Sequence, residues 1–366
     1  MNEMPAGVWL PEKNKELQVG PPRWNGTTMV VDASIGTDAR ILQLGLREQL
    51  TLSRIDGAQT PTQIADSLAA SSIHLSEQQV WETLNKLAYF GLIYRPYSDD
   101  VQEVAEADDQ RNVEPRTKAE VYVPRVGRAL SLWTYFISLG SPIVASVVFV
   151  FASAGALGIV LNLPQAIDTI AEGRTPVIGL LACLAIAIVW NLVVMLFHEM
   201  AHSGAFYGKS GRTPFLAIVR FGVALLPTSH LPGLNLLRTV QKAEIVVLGP
   251  ATSLAFALLP ASLVFFADSG SVLRTYGAVS LIVEAVVIAI GLTFIPNADI
   301  VRFVETLSGV ENPHVTSWRS ITGKYKVPAA LPVRSKLAIF GYPVLLLLSL
   351  VAWAVAATWA IRLALN

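Results

Sequence analysis

The stretch from Pro176 to His202 reads PVIGLLACLAIAIVWNLVVMLFHEMAH and joins a membrane-length apolar run to a metal-binding motif. Its first part, Pro176 to Phe197, carries no charged residue and is long enough to cross about 30 Å of hydrocarbon as a helix. His198 and His202 then follow at a spacing that places both imidazoles on one helix face. Polar residues are expensive to bury at membrane depth, so this location favours a functional site. The alternative is a helix end whose polar residues only reach the headgroups.

The HEMAH motif, His198 to His202, has the residue types of a catalytic zinc site. Two histidines at this spacing can hold one metal ion, and Glu199 lies beside it, where it can accept a proton from a water molecule. A zinc ion lowers the pKa of its bound water to about 7. We therefore predict Zn²⁺ as the cofactor, His198 and His202 as ligands, and Glu199 as the general base of peptide hydrolysis.

The composition is that of a membrane protein with one soluble portion. Of the 366 residues, 53% are hydrophobic and only 15% are charged, and most of the charge lies before residue 129 and in two later loops. The net charge is zero, so nothing indicates a nucleic-acid partner. The single cysteine, Cys183, lies in an apolar run, which excludes an internal disulfide and a cysteine-based zinc site.

The hydropathy pattern predicts a mainly α-helical, polytopic membrane protein with about five transmembrane helices. The candidate spans are Ala129 to Asn162, bent near Pro142, then Pro176 to His202, Ile245 to Phe266, Thr275 to Pro296 and Leu337 to Ile361. Lys and Arg concentrate before the first span, between the second and third, and between the fourth and fifth. The positive-inside rule then places the N-terminus in the cytoplasm and the C-terminus outside. We expect an integral protein of a bacterial plasma membrane, in contact with the lipid bilayer.

A third metal ligand must come from outside the motif, because Ala205 and Gly208 stand where the longer pattern HExxHxxGxxH needs Gly and His. In the predicted topology the second and fourth spans end on the same face of the membrane, and Asp299 follows the fourth span. We predict Asp299 as the third ligand, since two histidines and a carboxylate leave one tetrahedral position open for water. The alternative role for Asp299 is the N-cap of a helix that begins at Ile300.

Three segments resemble the site-2 protease-like family of intramembrane zinc metalloproteases, over roughly residues 129–362. They are HEMAH at 198–202, the run Leu248-Gly249-Pro250-Ala251-Thr252-Ser253, which is similar to the family's Ala-Gly-Pro segment, and Ile295-Pro296-x-x-Asp299. The resemblance implies that His198, His202 and Asp299 bind zinc and that Glu199 is the general base.

The surroundings of Asp299 depart from the family pattern. The family has Leu-Asp-Gly at this point, preceded by Asn and Pro further upstream. In this chain Ala298 and Ile300 flank Asp299, and Gly291 and Phe294 stand where that Asn and Pro would be. The departures leave all three ligands in place and affect the backbone turn with which the family binds its substrate.

Three more polar residues are secondary candidates for the site. His230 could approach the metal or stabilise an oxyanion, or it could simply be exposed. Glu284, in the fourth span, must face protein or water, so it either bonds to another helix in protonated form or lines a water path. Asn191, about two helical turns before His198, could polarise the site or bond to a neighbouring helix.

The segment Pro214 to Leu226 is apolar and β-branched but too short to cross the membrane. We interpret it as a re-entrant or edge-strand element, which could bind an extended peptide through main-chain hydrogen bonds. The alternative is a surface loop that lies on the headgroups.

The pattern of apolar residues and turns in residues 29–96 predicts a small α+β domain, with short strands and three helices in a winged-helix-like arrangement. Ser76 and Gln79 form a capping-box pattern before one of these helices. Residues 52–68 and the ending Gly91-Leu92-Ile93 resemble PqqD-like domains, which recognise leader peptides by adding them to a sheet edge. A DNA-binding winged helix and a structural cap are the alternatives, although the segment lacks a concentrated basic face.

The sequence thus divides into a peptide-recognition domain at 29–96, a linker at 97–128 and a protease-like membrane domain at 129–362. The segment from Met1 to Gly26 is polar and lacks the apolar run of a secretory signal peptide, so we expect the N-terminal domain to stay in the cytoplasm. The predicted function is zinc-dependent cleavage of a precursor peptide, for the maturation or export of a ribosomally made peptide. Two alternatives stay open: regulated cleavage of a transmembrane regulator, and a peptide-binding scaffold without hydrolysis. The partner is a precursor peptide or a membrane-protein substrate, and the oligomeric state is left open.

Overall fold

The computed structural model describes residues 9–36, 41–94, 120–122, 142–173, 175–221, 224–296 and 298–365. The chain forms two compact units. The first comprises Met1–Arg116 with Pro232–Arg238, and the second comprises Thr117–Leu231 with Thr239–Asn366. The predicted linker at 97–128 lies mostly outside the described residues, but Glu120–Tyr122 within it form a strand of the second unit.

The first unit contains two small antiparallel sheets. Strands β1 (Glu12–Lys13) and β6 (Ile93–Tyr94) pair with each other. In the other sheet the central strand β4 (Met29–Ile35) pairs with β2 (Leu17–Val19), β3 (Arg23–Trp24) and β5 (Leu42–Leu44). The structured region therefore starts before Met29, the predicted boundary, because β1–β3 and the buried Trp9 belong to it.

Three short helices complete the core of the first unit: α1 (Leu46–Arg54), α2 (Pro61–Ala70) and α3 (Glu77–Tyr89). The predicted capping box before α3 is confirmed, since Ser76 Oγ accepts a hydrogen bond from Gln79 N while Gln79 Oε1 accepts one from Ser76 N. Thr60 and Gln63 form a second box before α2. Each box satisfies two backbone N–H groups that a helix start otherwise leaves open. The buried faces of the helices pack on the sheet residues.

The described residues of the second unit form five helical segments long and apolar enough to cross a membrane, the number that the hydropathy pattern predicts. This indicates a membrane protein. The segments are α4 (Pro142–Ala171), α5 (Val177–Ser210), α6 with α7 (Thr239–Phe256 and Leu258–Phe266), α8 (Val272–Gly291) and α11 (Val333–Leu365). The predicted start of the first span, at 129–141, lies outside the described residues.

The first span ends later than predicted, at Ala171 rather than Asn162. Asn162 does not stop the helix, because its side-chain amide donates a hydrogen bond to the carbonyl of Gly158 one turn earlier, at 2.9 Å. Pro164 also lies inside this helix. The polar and helix-breaking residues that suggested a boundary are thus accommodated within one continuous segment.

The segment formed by α6 and α7 is the most enclosed of the five spans. In its most apolar stretch of 18 residues, 56% of the residues are buried, against 11–39% in the corresponding stretches of the other four segments. It packs against α4, and α6 also packs against α5. The approach of α4 is so close that a β-carbon on Gly155 would lie 1.7 Å from the carbonyl oxygen of Leu254. A helix pair at this separation requires glycine, which membrane helix contacts often use.

The second unit also contains a three-stranded antiparallel sheet, whose last strand contacts α5. Its order is β7 (Glu120–Tyr122), β8 (Phe215–Phe221) and β9 (Ala224–His230), so β9 is an edge strand within the part of the chain that the structure describes. The edge-strand interpretation of residues 214–226 therefore describes this region better than a surface loop, and the strands extend to His230. Two short helices, α9 (Asp299–Ser308) and α10 (Pro313–Ile321), connect α8 to α11.

We expect Gly155→Ala to destabilise the membrane unit, because the added methyl group would force α4 away from α6. The expected loss is about 1–3 kcal/mol, measured as a lower thermal unfolding midpoint in detergent. Gly341→Ala is the matched control, since a β-carbon there meets no atom within 4 Å. Equal midpoints for the two variants would contradict the close packing of α4 and α6.

Candidate metal centre

His198 and His202 lie on the last part of α5, where the helix is enclosed by protein. The apolar residues at the start of α5, such as Ile178 at 83% exposed, face outward, whereas His202 is only 7% exposed. The Nε2 atoms of the two histidines are 3.1 Å apart. The four-residue spacing therefore brings both imidazoles to one point, as the motif predicts.

The other ring nitrogen of each histidine has a partner on α6. His202 Nδ1 lies 2.6 Å from the carbonyl oxygen of Ile245, an acceptor, so this nitrogen carries the proton and donates. His198 Nδ1 lies 3.0 Å from Ser253 Oγ. A histidine that donates through Nδ1 presents an unprotonated Nε2, the form that binds a metal ion.

Asp299, the first residue of α9, faces both histidines. Its Oδ2 lies 3.4 Å from His198 Nε2, and its Oδ1 lies 3.7 Å from His202 Nε2. It is not the N-cap of this helix, because Ala298 occupies that position and makes no side-chain cap. Burial raises the pKa of the Asp299 carboxyl, but in the metal-free protein hydrogen bonds and charge from the two histidines, when their Nε2 atoms are protonated, outweigh burial and hold this pKa well below its usual range.

Side chains of α11 hold the turn that places Asp299. The hydroxyl of Tyr342 donates to the carbonyl oxygen of Phe294 at 2.6 Å, and the indole N–H of Trp353 donates to Thr293 Oγ1 at 2.9 Å. Hydrogen bonds from a tyrosine and a tryptophan of α11 therefore hold the residues that follow α8. No sequence pattern indicates these two contacts.

The three side chains fit a tetrahedral metal ion such as zinc. Ligands about 2.1 Å from a tetrahedral zinc ion lie about 3.4 Å apart. The two histidine Nε2 atoms are 3.1 Å apart, and each lies 3.4–3.7 Å from a different oxygen of the Asp299 carboxylate. These are the residues of the described chain whose ligand atoms gather within 4.8 Å of one another. Two imidazole nitrogens and a carboxylate oxygen are also the donor types that zinc prefers in catalytic sites.

Gly249 on α6 leaves the space that the histidine nitrogens occupy. A β-carbon at this position would lie 2.2 Å from His202 Nε2 and 2.7 Å from His198 Nε2. Any other residue here would therefore collide with both histidines. This close contact gives a physical reason for a glycine at position 249.

Glu199, half-buried next to the histidines, accepts two hydrogen bonds from Ser229 on β9. Ser229 N lies 2.7 Å and Ser229 Oγ 2.6 Å from the same carboxylate oxygen, Oε2. His230, the neighbouring secondary candidate, is not among the gathered ligand residues. Successive strand side chains point to opposite faces, so Ser229 facing Glu199 turns His230 the other way.

Asn191 and Glu284 lie on α5 and α8, which pack together, and neither belongs to the His–His–Asp cluster. Glu284 is 1% exposed, as a carboxylate inside a span must be, and Asn191 is 6% exposed. Glu284 Oε2 and both amide atoms of Asn191 are buried without a hydrogen-bond partner among the described residues. Buried polar atoms of this kind are usually satisfied by internal water.

The sequence predicted the two histidines, Glu199 and Asp299 as site residues, and the structure brings their side chains close together or next to one another. The sequence did not point to four residues that contact them or hold their surroundings, namely Ser229, Ser253, Gly249 and Tyr342. Ser229 adjoins His230 in the chain, and the strand alternation that distinguishes them depends on knowing the register. Ser253 and Gly249 fall in the Leu248–Ser253 segment, whose resemblance gave the only sequence signal for them.

We expect Gly249→Ala to abolish zinc binding while Gly291→Ala preserves it. The first variant would place a methyl group against both histidine Nε2 atoms, whereas the β-carbon of the second would lie at an ordinary 3.5 Å from Asp299 Oδ2. Zinc per purified protein should be about one for wild type and Gly291→Ala, and near zero for Gly249→Ala and His202→Ala. Size-exclusion profiles identify any variant that fails to fold.

Full zinc content in a folded Gly249→Ala protein would show that the metal binds elsewhere. Equal loss in Gly249→Ala and Gly291→Ala would mean that zinc content follows general destabilisation rather than the space beside the histidines.

Comparison of the chain with protein-family models, with curated proteins and with solved structures gave no match. The functional conclusion therefore rests on the geometry and chemistry of the residues themselves.

Proposed function

We propose that this protein is a membrane-embedded zinc endopeptidase that cleaves a precursor peptide. The observation that carries the proposal is the meeting of His198, His202 and Asp299, with Glu199 on the next residue of the same helix. Three protein ligands with a nearby carboxylate characterise catalytic zinc sites, whereas structural zinc sites use four protein ligands. In this proposal the N-terminal unit lies in the cytoplasm, which the concentration of Lys and Arg in alternate loops supports.

In this proposal each residue has a separate role. A zinc ion held by the two histidines and Asp299 would act as a Lewis acid on water and on the scissile carbonyl. Glu199 accepts the proton of the attacking water and later delivers it to the leaving amine, so that a neutral amine departs. Ile245 and Ser253 orient the two histidines. Enclosure by α6 limits solvent at the reacting bond and strengthens these interactions.

The edge strand β9 provides the means to bind a peptide. Among the described residues its only strand partner is β8, on one side, and Ser229 on β9 is in direct contact with Glu199. A peptide that pairs along this edge is extended, the conformation in which a protease cleaves, and lies next to the proposed base. This arrangement suits a flexible precursor better than a folded or helical substrate.

The N-terminal unit supports the choice of a precursor peptide as substrate. Its short strands β2 and β5 lie on the outside of a sheet built on β4, where a leader peptide could add as a further strand. This is the binding mode of the PqqD-like domains that its sequence resembles. Recognition of a leader by this unit would bring the cleavable segment to the membrane site.

We expect Glu199→Gln to retain zinc and to lose peptide hydrolysis, because an amide can hydrogen-bond as an acceptor but cannot take the proton. The expected loss of turnover is about 10²- to 10⁴-fold. The measurement uses purified protein, a pool of random decapeptides and mass spectrometry of the products, with zinc content determined in parallel. Glu172→Gln, at an exposed position just after α4, is a matched Glu-to-Gln control in the same unit.

Cleavage by Glu199→Gln at the wild-type rate would contradict the proposed role of Glu199. Zinc binding without cleavage by the wild type would favour the non-hydrolytic scaffold, in which the metal is structural.

A further inference from the structure

The contact between Ser229 and Glu199 uses both donors of one serine. The backbone N–H and the hydroxyl of Ser229 both donate to Oε2, at 2.7 and 2.6 Å. Hydrogen bonds to a charged acceptor are shorter and stronger than those between neutral groups. Oε1 receives no hydrogen bond from the described residues, so the two oxygens of Glu199 have different surroundings.

The strand register shows which way the Ser229 backbone points. Ser229 lies opposite Leu216 of β8, and its N–H is directed to Glu199 instead of to that strand. Because N–H directions alternate along an antiparallel strand, the N–H of Thr228 points to β8. Pro227 shares the outward direction of Ser229, and there its missing N–H removes no bond to β8. From Pro227 to Ser229, the outer edge of β9 therefore offers one N–H, and Glu199 occupies it.

We propose that Ser229 is the positioning residue of Glu199, an inference that rests on the proposed peptidase function. It holds Oε2 on the sheet side and leaves Oε1 as the oxygen that exchanges the proton. A glutamate side chain has several rotatable bonds, and fixing one oxygen removes the freedom that would otherwise carry the base away from the histidines. In this role the Ser229 hydroxyl touches neither substrate nor metal and acts only through Glu199.

The two donors of Ser229 have different roles once a peptide binds. A peptide carbonyl that pairs with this part of the edge must take the single outward N–H, which Glu199 then gives up. The hydroxyl does not belong to the backbone ladder and keeps its bond to Oε2. A Ser229→Ala substitution, which removes the hydroxyl, would therefore leave Glu199 Oε2 without a hydrogen bond from Ser229 when substrate is bound.

The kinetic test compares Ser229→Ala, Ser229→Thr and Ser153→Ala. Ser229→Ala should lower kcat about 10-fold, the effect of one hydrogen bond to a charged group, with KM and zinc content unchanged. Ser229→Thr should restore kcat, because threonine keeps the hydroxyl and suits a strand. Ser153→Ala is the control, since that hydroxyl bonds only within its own helix, to Phe149 at 2.9 Å. The substrate is the decapeptide of the random pool that wild type cleaves fastest.

A second measurement needs no cleavage. Hydrogen exchange of single amides, read by mass spectrometry with electron-transfer fragmentation, should show the Ser229 amide exchanging about 10-fold faster in Glu199→Ala than in wild type. Glu199→Gln, whose amide oxygen still accepts, should stay near wild type. The Thr228 amide, directed to β8, should be unchanged in both variants and serves as the internal control.

Several results would overturn the inference. These are wild-type kcat in Ser229→Ala, loss of zinc in that variant, failure of threonine to restore kcat, or an unchanged Ser229 amide in Glu199→Ala. If Ser229→Ala is unaffected while Glu199→Gln is inactive, the inference fails and the peptidase proposal stands. If wild type cleaves nothing, the peptidase proposal fails, and with it the inference, even if exchange shows that the Ser229–Glu199 contact exists.

Discussion

The approach of the α6 backbone to two histidine side chains is the constraint on which the site depends. At Gly249 a β-carbon would lie within 2.7 Å of both Nε2 atoms, so the helices α5 and α6 can meet here only through glycine. This closeness also brings Ile245 and Ser253 to the Nδ1 atoms of the same histidines. One helix contact thus encloses the imidazoles, orients their rings and directs their free nitrogens toward Asp299.

The parts of the fold that depend on local sequence were predictable. Hydrophobic length predicted five spans, and the described residues form five helical segments long and apolar enough to cross a membrane. The His198–His202 spacing needs only helix geometry. Asp299 was reached by a longer argument, from the common direction of two spans. Its contact with the histidines agrees with that argument, although the orientation in the membrane stays a prediction. The predicted end of the first span at Asn162 was wrong, because the Asn162 side chain donates a hydrogen bond within its own helix and the helix continues to Ala171.

What the sequence could not supply are contacts between distant segments. Ser229 meets Glu199 thirty positions away, and Tyr342 meets Phe294 across forty-eight. Neither pair has a periodic or motif signal, since each depends on strand register or on how two helices cross. For this reason the sequence indicated His230 as a candidate and not Ser229, because a histidine side chain commonly takes part in catalysis or metal binding and a serine in a loop gives no such signal. The residues that carry charge were visible from the sequence, and those that hold them in place were not.

X-ray absorption at the zinc edge of the purified, zinc-loaded protein tests the central claim most directly. Two histidines and Asp299 predict two imidazole nitrogens and otherwise only oxygen, at about 2.0–2.2 Å, in a four-coordinate site. Asp299→Ala should change the oxygen contribution and leave any residual imidazole signal intact. A six-coordinate spectrum of water oxygens without imidazole scattering, or one that Asp299→Ala leaves unchanged, would contradict this account of the site.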